Sequence, residues 1–107
     1  NNFNNDDSII IIRYLLNKCK KLAALVKEYE KSKNINLTIS SARPPIFWKE
    51  KDIVKNQIQI WNSKDLKKLM YQINEIEFQI KKNISNSLNL VNDFILEISN
   101  YKINNKT

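Results

Sequence analysis

The stretch "SIIIIRYLLNKCKKLAALVKEYEK", Ser8–Lys31, decides the fold. Ile12, Leu15, Leu16, Cys19, Leu22, Ala23 and Val26 recur at i, i+3, i+4 and i+7, the spacing that draws one apolar stripe along a helix. Arg13, Lys20 and Lys27 form a polar stripe to one side. Ile11, Tyr14 and Leu25 fall on the other side of the apolar stripe and widen it beyond what packing on one neighbour needs. A helix this long needs a start, and Asp6, Asp7 or Ser8 can supply it, because their side-chain oxygens accept first-turn amides. Residues 1–7, "NNFNNDD", are expected to be a flexible leader.

Outward from that helix the pattern breaks and restarts four times. "KSKNIN" interrupts, and Asn34 or Asn36 opens a short helix, "LTISSA", that must stop before Pro44 because a residue preceding proline is pushed out of the helical region. A third helix is expected over Lys51–Ile60, with Val54, Ile58 and Trp61 on one face. Asn62 or Ser63 can cap a fourth, running to Lys82, with Asp65 favoured by the dipole of its first turn. Its stripe is Leu66, Leu69, Met70, Ile73, Ile76 and Ile80. After "NISNS" a fifth helix carries Leu88, Val91, Ile95 and Ile98, widened by Leu90 and Phe94, as far as Tyr101. Residues 102–107 read as a frayed tail. The chain has no glycine, which disfavours tight β-hairpins, and no alternating strand pattern stands out. The expectation is an all-α fold, a bundle of about five helices over residues 8–101.

At 107 residues the size fits one domain, able to bury about two thirds of its unfolded surface. The start without Met leads us to expect a piece, or a processed form, of a longer protein. The net charge of +7 points toward anionic partners, but only Arg13 and Arg43 are arginines, the side chain that grips phosphate and guanine in a fork. Dispersed lysines read as a solvated surface, in a chain whose richness in Ile, Asn and Lys fits an AT-rich genome. No apolar run approaches the length of a membrane span, and no signal peptide is visible.

Catalytic chemistry has little to stand on. Without histidine the usual base and metal ligand are missing, and without glycine there is no phosphate-cradling loop. We therefore expect no catalytic, cofactor or metal site in this chain. Cys19 lies in the first stripe and reads as a structural thiol rather than a nucleophile. Glu50/Asp52 and Glu75/Glu77 are two apart on helices and point away from each other. Glu77 differs, because it falls inside the fourth helix's apolar stripe. A covered carboxylate there needs a cation, and Lys81 one turn on, with Arg13 or Arg43 from another element, could provide it. An exposed position and a partner contact remain the alternatives. Tyr71 and Phe78, seven apart on the outer side of the same helix, call for a second packed surface, either the chain's own helices or a subunit interface. In Ser41–Lys51, "SARPPIFWKEK", the two prolines stiffen a corner, and Phe47 and Trp48 are expected to plug the bundle end.

That corner also carries a family likeness. "ARPPIFWKEK" followed by "QIQIWNSKDLKKLMYQINEIEFQIKKN" resembles the C-terminal domain of the delta subunit of bacterial DNA polymerase III, a clamp-loader subunit. The matching positions are Arg43, Pro44, Pro45, Phe47, Trp48 and Lys49, then Trp61 and Ser63, then Glu77 and Lys81; Arg13 in "IIIIRYLLNKCKKL" matches the start of that domain. The match covers about 90 residues, and its specific part is the Arg-Pro-Pro-aromatic-Lys corner. Family members often carry a histidine late in the first helix, and this chain has none. The resemblance implies a helical collar of the clamp-loader type. Such a collar joins those of the gamma (or tau) and delta-prime subunits in a pentameric ring, in the bacterial cytoplasm. The sliding clamp would be gripped only by domains outside this segment. The parent assembly would be the DNA polymerase holoenzyme, a nucleotidyltransferase, with no cofactor bound here and no contact with a membrane. Ile11, Tyr14, Tyr71 and Phe78 are the expected subunit interface. The competing expectation is a basic helical nucleic-acid-binding module, whose affinity would fall steeply with salt.

Overall fold

The computed structural model describes residues 4–104. Five α-helices follow in order, α1 Ser8–Ser32, α2 Ile35–Ser40, α3 Lys51–Ile60, α4 Ser63–Lys82 and α5 Ser87–Asn104, with 3-10 turns at Asn5–Asp7, Trp48–Glu50 and Ile84–Asn86. No strand occurs among the described residues, and the protein is an all-α bundle. α5 continues three residues past Tyr101, so Lys102, Ile103 and Asn104 are helical where a tail was expected; 105–107 lie outside the described residues. The helices group into two compact units, Asn1–Asn17 with Met70–Thr107, and the continuous segment Lys18–Leu69.

The first unit contains the start of α1, the end of α4 and all of α5. Its buried side chains are Ile12, Ile73, Ile80, Val91 and Phe94, all from the stripes that the helical period drew. Its entry differs from the sequence expectation. The 3-10 turn Asn5–Asp7 leads into α1, and Asn4 caps that turn: its side chain accepts the Asp6 amide at 2.9 Å, and Asp7 Oδ2 accepts the Asn4 amide at 3.0 Å. Asn5 then reaches across the sequence. Its Nδ2 donates to the Ser85 carbonyl at 3.0 Å, and its Oδ1 accepts the Leu88 amide at 3.1 Å, one of the orphan donors at the start of α5. Ser8 and Ser87 are fully buried. The Ser8 hydroxyl donates to the Asn5 carbonyl at 2.7 Å, and the Ser87 hydroxyl has the Ile84 and Asn5 carbonyls at 2.7 and 2.9 Å. Residues 4–7 are thus a bonded turn rather than part of a flexible leader, because these bonds satisfy backbone groups that would otherwise need water. Residues 1–3 lie outside the described residues.

The second unit contains the end of α1, α2, α3 and the start of α4, with Val26, Ile39, Ile58, Leu66 and Leu69 buried. α1 stops at Lys33, whose φ of 58° is left-handed and whose amide bonds back to the Tyr29 carbonyl at 2.8 Å. Glycine is the usual residue for that position, and this chain has none. Asn34 caps α2 by accepting the Leu37 amide at 3.0 Å. Thr38, also buried, donates to the Asn34 carbonyl at 3.0 Å, which closes the turn. Two groups serve the start of α4. Asn62 Oδ1 accepts the Asp65 amide at 2.7 Å, and Glu30 accepts the Ser63 hydroxyl at 2.6 Å and the Ser63 amide at 3.3 Å. Those bonds to Ser63 hold the Glu30 carboxyl below the usual carboxylate range.

Two substitutions report on these turns. Lys33→Gly removes the Cβ clash of the left-handed conformation and is expected to stabilise by about 0.5–1 kcal/mol, a rise of a few degrees in Tm. Lys33→Val should lower Tm instead, since a branched side chain tolerates that region least. Asn5→Ala removes two long-range hydrogen bonds and is expected to cost about 1–2 kcal/mol by urea titration.

Candidate functional site

Glu77 sits on α4 at the edge of its apolar stripe, and its side chain keeps 17% exposure. Its Oε2 lies 3.0 Å from Lys81 Nζ, one turn along the same helix, and 3.5 Å from Arg13 Nε on α1. The structure therefore brings together Glu77, Lys81 and Arg13. The cation heads remain mostly exposed, at 53% for Lys81 and 61% for Arg13. A carboxylate covered on its apolar side and faced by two solvated cations resists protonation. The Lys81 hydrogen bond dominates, burial opposes it, and the charges of Lys81 and Arg13 add to it, so the Glu77 carboxyl lies below the usual range. Arg43 takes no part. Its Nη1 donates to the Ala42 carbonyl at 2.7 Å and the Ser40 carbonyl at 3.4 Å, which ties the guanidinium to its own corner.

The corner itself departs from expectation. The Arg43–Pro44 peptide is cis, Pro44 and Pro45 are exposed, and Phe47 and Trp48 do not plug anything. Phe47 is 53% exposed and Trp48 69%. The physical reason is local: after the bend at Arg43 and Pro44 the chain reaches Phe47, at φ −58° and ψ 132°, and enters the 3-10 turn Trp48–Glu50 directly, so Ile46 is the more covered residue while the next two rings stay exposed. The rings stay close to each other, with centroids 5.9 Å apart and planes tilted by 55°. Lys49 Nζ stands 5.3 Å from the Trp48 ring centre.

The four residues expected at an interface divide. Ile11 is half-buried in α1. Tyr14, Tyr71 and Phe78 are 60%, 66% and 57% exposed, so the chain's own helices leave most of each ring uncovered. Lys82 Nζ lies 4.5 Å from the Phe78 ring centre and supplies a cation to its face. All four belong to the first unit.

None of the described residues forms a group of three His, Cys, Asp or Glu able to hold a metal ion. Glu75 is exposed while Glu77 is held by cations, so that pair shares no site. Cys19 is half-buried, and burial pushes its thiol up, away from the reactive thiolate. No helix among the described residues is long and apolar enough to cross a membrane. Comparison with protein-family models, with curated proteins and with solved structures finds no match for this chain.

The Glu77 cluster makes a signed prediction. Because the folded carboxyl is held low, its contribution is whole above the unfolded value of about 4.3 and is lost as pH falls through the lower folded value. The stability gap between the native chain and Glu77→Gln should be constant from pH 8 to about pH 5 and close below about pH 4. At neutral pH, Glu77→Ala should cost about 1 kcal/mol more than Glu75→Ala; equal melting temperatures would remove the ion pair from the account of stability.

Proposed function

We propose that this chain is an oligomerisation domain, the collar of a clamp-loader delta subunit in the bacterial DNA polymerase III holoenzyme. Its work is to dock against the collars of gamma (or tau) and delta-prime in the cytoplasm. The observation that carries the reading is the exposure of Tyr14, Tyr71 and Phe78 in one small unit. Large rings left outside a finished core are the side chains that protein interfaces favour, since covering them in a partner returns about 25 cal/mol per Å2 before ordering costs. The Arg43-Pro44-Pro45 corner with Phe47, Trp48 and Lys49 supports the family likeness, and the all-α architecture is compatible with a collar. Neither arginine is disposed to read bases: Arg13 is engaged by Glu77 and Arg43 by backbone carbonyls, which disfavours sequence-specific recognition of duplex DNA.

Co-purification of the full-length parent protein with gamma and delta-prime tests the assignment. Tyr71→Glu and Phe78→Glu, at exposed helix positions, should leave Tm within a few degrees of the native value and weaken the complex by tenfold or more. Normal assembly of a parent protein lacking this domain would refute the collar reading.

A further inference from the structure

The charge of the chain is divided unequally between its two units. Lys18–Leu69 holds 13 lysines and arginines against 5 aspartates and glutamates, a net +8, and the remainder holds 5 against 6, a net −1. Within the basic unit, α3 is apolar on two opposite sides. Val54 is half-buried and Ile58 is buried, which makes one side part of the core. Ile53 and Ile60 are seven residues apart, so they share a face, and that face lies opposite Ile58. They are 59% and 37% exposed. A helix that closes a core on one side ordinarily gives the other to charge. Here no carboxylate falls between the two isoleucines, and Asn56–Asn62 carries no charge at all. Leu37, on the α2 helix that contacts α3, is a further aliphatic side chain left outside.

We infer that the outer face of α3 docks an acidic amphipathic helical segment of a partner protein, whose apolar stripe covers Ile53 and Ile60 and whose carboxylates meet the lysines of this unit. The spacing argues for a helix. Two aliphatic side chains two turns apart, about 10 Å along the axis, match one seam of a packed helix pair, in which anchors recur at i, i+3 or i+4 and i+7. The charge sets the sign of the partner. Lys51 and Lys55 flank the isoleucines on α3, and Lys64 follows just beyond. Asp52 lies in the first turn of α3, where it offsets the positive end of that helix's own dipole. A carboxylate-bearing segment is drawn in by such a field and a lysine-bearing one is repelled. A second copy of this chain is disfavoured on the same ground, since it would bring +7 against +7. A bilayer surface asks for a longer apolar face than these few aliphatic side chains provide. The apolar area is small, so the contact belongs to the transient class, with affinity in the micromolar range.

This surface is separate from the rings proposed above for subunit contacts, and its test needs no other subunit. The 107-residue chain is titrated, by fluorescence anisotropy, into a labelled synthetic peptide of about 21 residues, three heptads with leucine along one helical face and glutamate on the flanks. Two control peptides share its length: a scrambled sequence of the same composition, and a version with lysine in place of glutamate. The acidic amphipathic peptide is expected to bind, more weakly as salt is added, and about tenfold or more better than either control. Ile53→Ser leaves the charge unchanged and should weaken binding by about tenfold, with Tm within a few degrees of the native value because the side chain is exposed. Lys51→Gln should weaken binding at low salt and flatten its salt dependence. Tyr71→Glu, in the other unit, should leave the peptide affinity unaltered while impairing assembly, so each reading fails separately. Absence of binding at low salt, equal binding of the scrambled peptide, or equal affinity of the native and Ile53→Ser chains would overturn the inference. So would dimerisation of the native chain that Ile53→Ser abolishes, or Ile53-dependent binding to phosphatidylglycerol vesicles without binding to the peptide.

Discussion

A chain without glycine must turn corners with side chains, and that constraint organises this molecule. Where other proteins place a residue of free backbone, this one places asparagine or serine and binds the exposed amides. Asn4, Asn34 and Asn62 each accept a first-turn amide, and Asn5 accepts one from a helix more than eighty positions away. Only Lys33 adopts a left-handed backbone among the described residues. The asparagine content therefore has a structural use as well as a compositional origin: at four junctions the amide side chain accepts a backbone amide that a helix start leaves without an intrahelical partner.

The division of labour between the two units follows from what each leaves uncovered. The first buries Ile12, Ile73, Ile80, Val91 and Phe94, sets Glu77 between Arg13 and Lys81, and leaves three aromatic rings outward. The second has its own buried set and carries all the excess charge, with its rings concentrated at one corner.

The helices were legible because periodicity depends only on which side chains avoid water. Lys51–Ile60 and the end of α4 at Lys82 follow directly from it, and Val26, Ile58, Leu66, Ile73 and Val91 are buried where the stripes place them. The position of Glu77 within a stripe called for cations, since a lone charge on an apolar face is costly. Direction was not legible. Phe47 and Trp48 are apolar, and apolarity alone placed them inside, whereas they lie exposed at the entry to the 3-10 turn Trp48–Glu50. Bonds between distant positions were equally hidden, as with Asn5 to Leu88 or Glu30 to Ser63, because nothing local distinguishes an asparagine or glutamate that caps a remote helix from one that meets water. The division into two units depends on which contacts form, which the helical pattern does not specify.

The bonds of Asn5 have a consequence for the order in which the protein can be made. Its partners Ser85 and Leu88 leave the ribosome some eighty residues later, and the unit they close surrounds the other one in sequence. Lys18–Leu69 is continuous and complete once its own residues have emerged, so it can condense while the first turn still waits for its acceptors. Joining the two ends then carries the entropy of a long loop, which a structured insert shortens. A folded Lys18–Leu69 segment thus shortens the loop that the bonds of Asn5 must close.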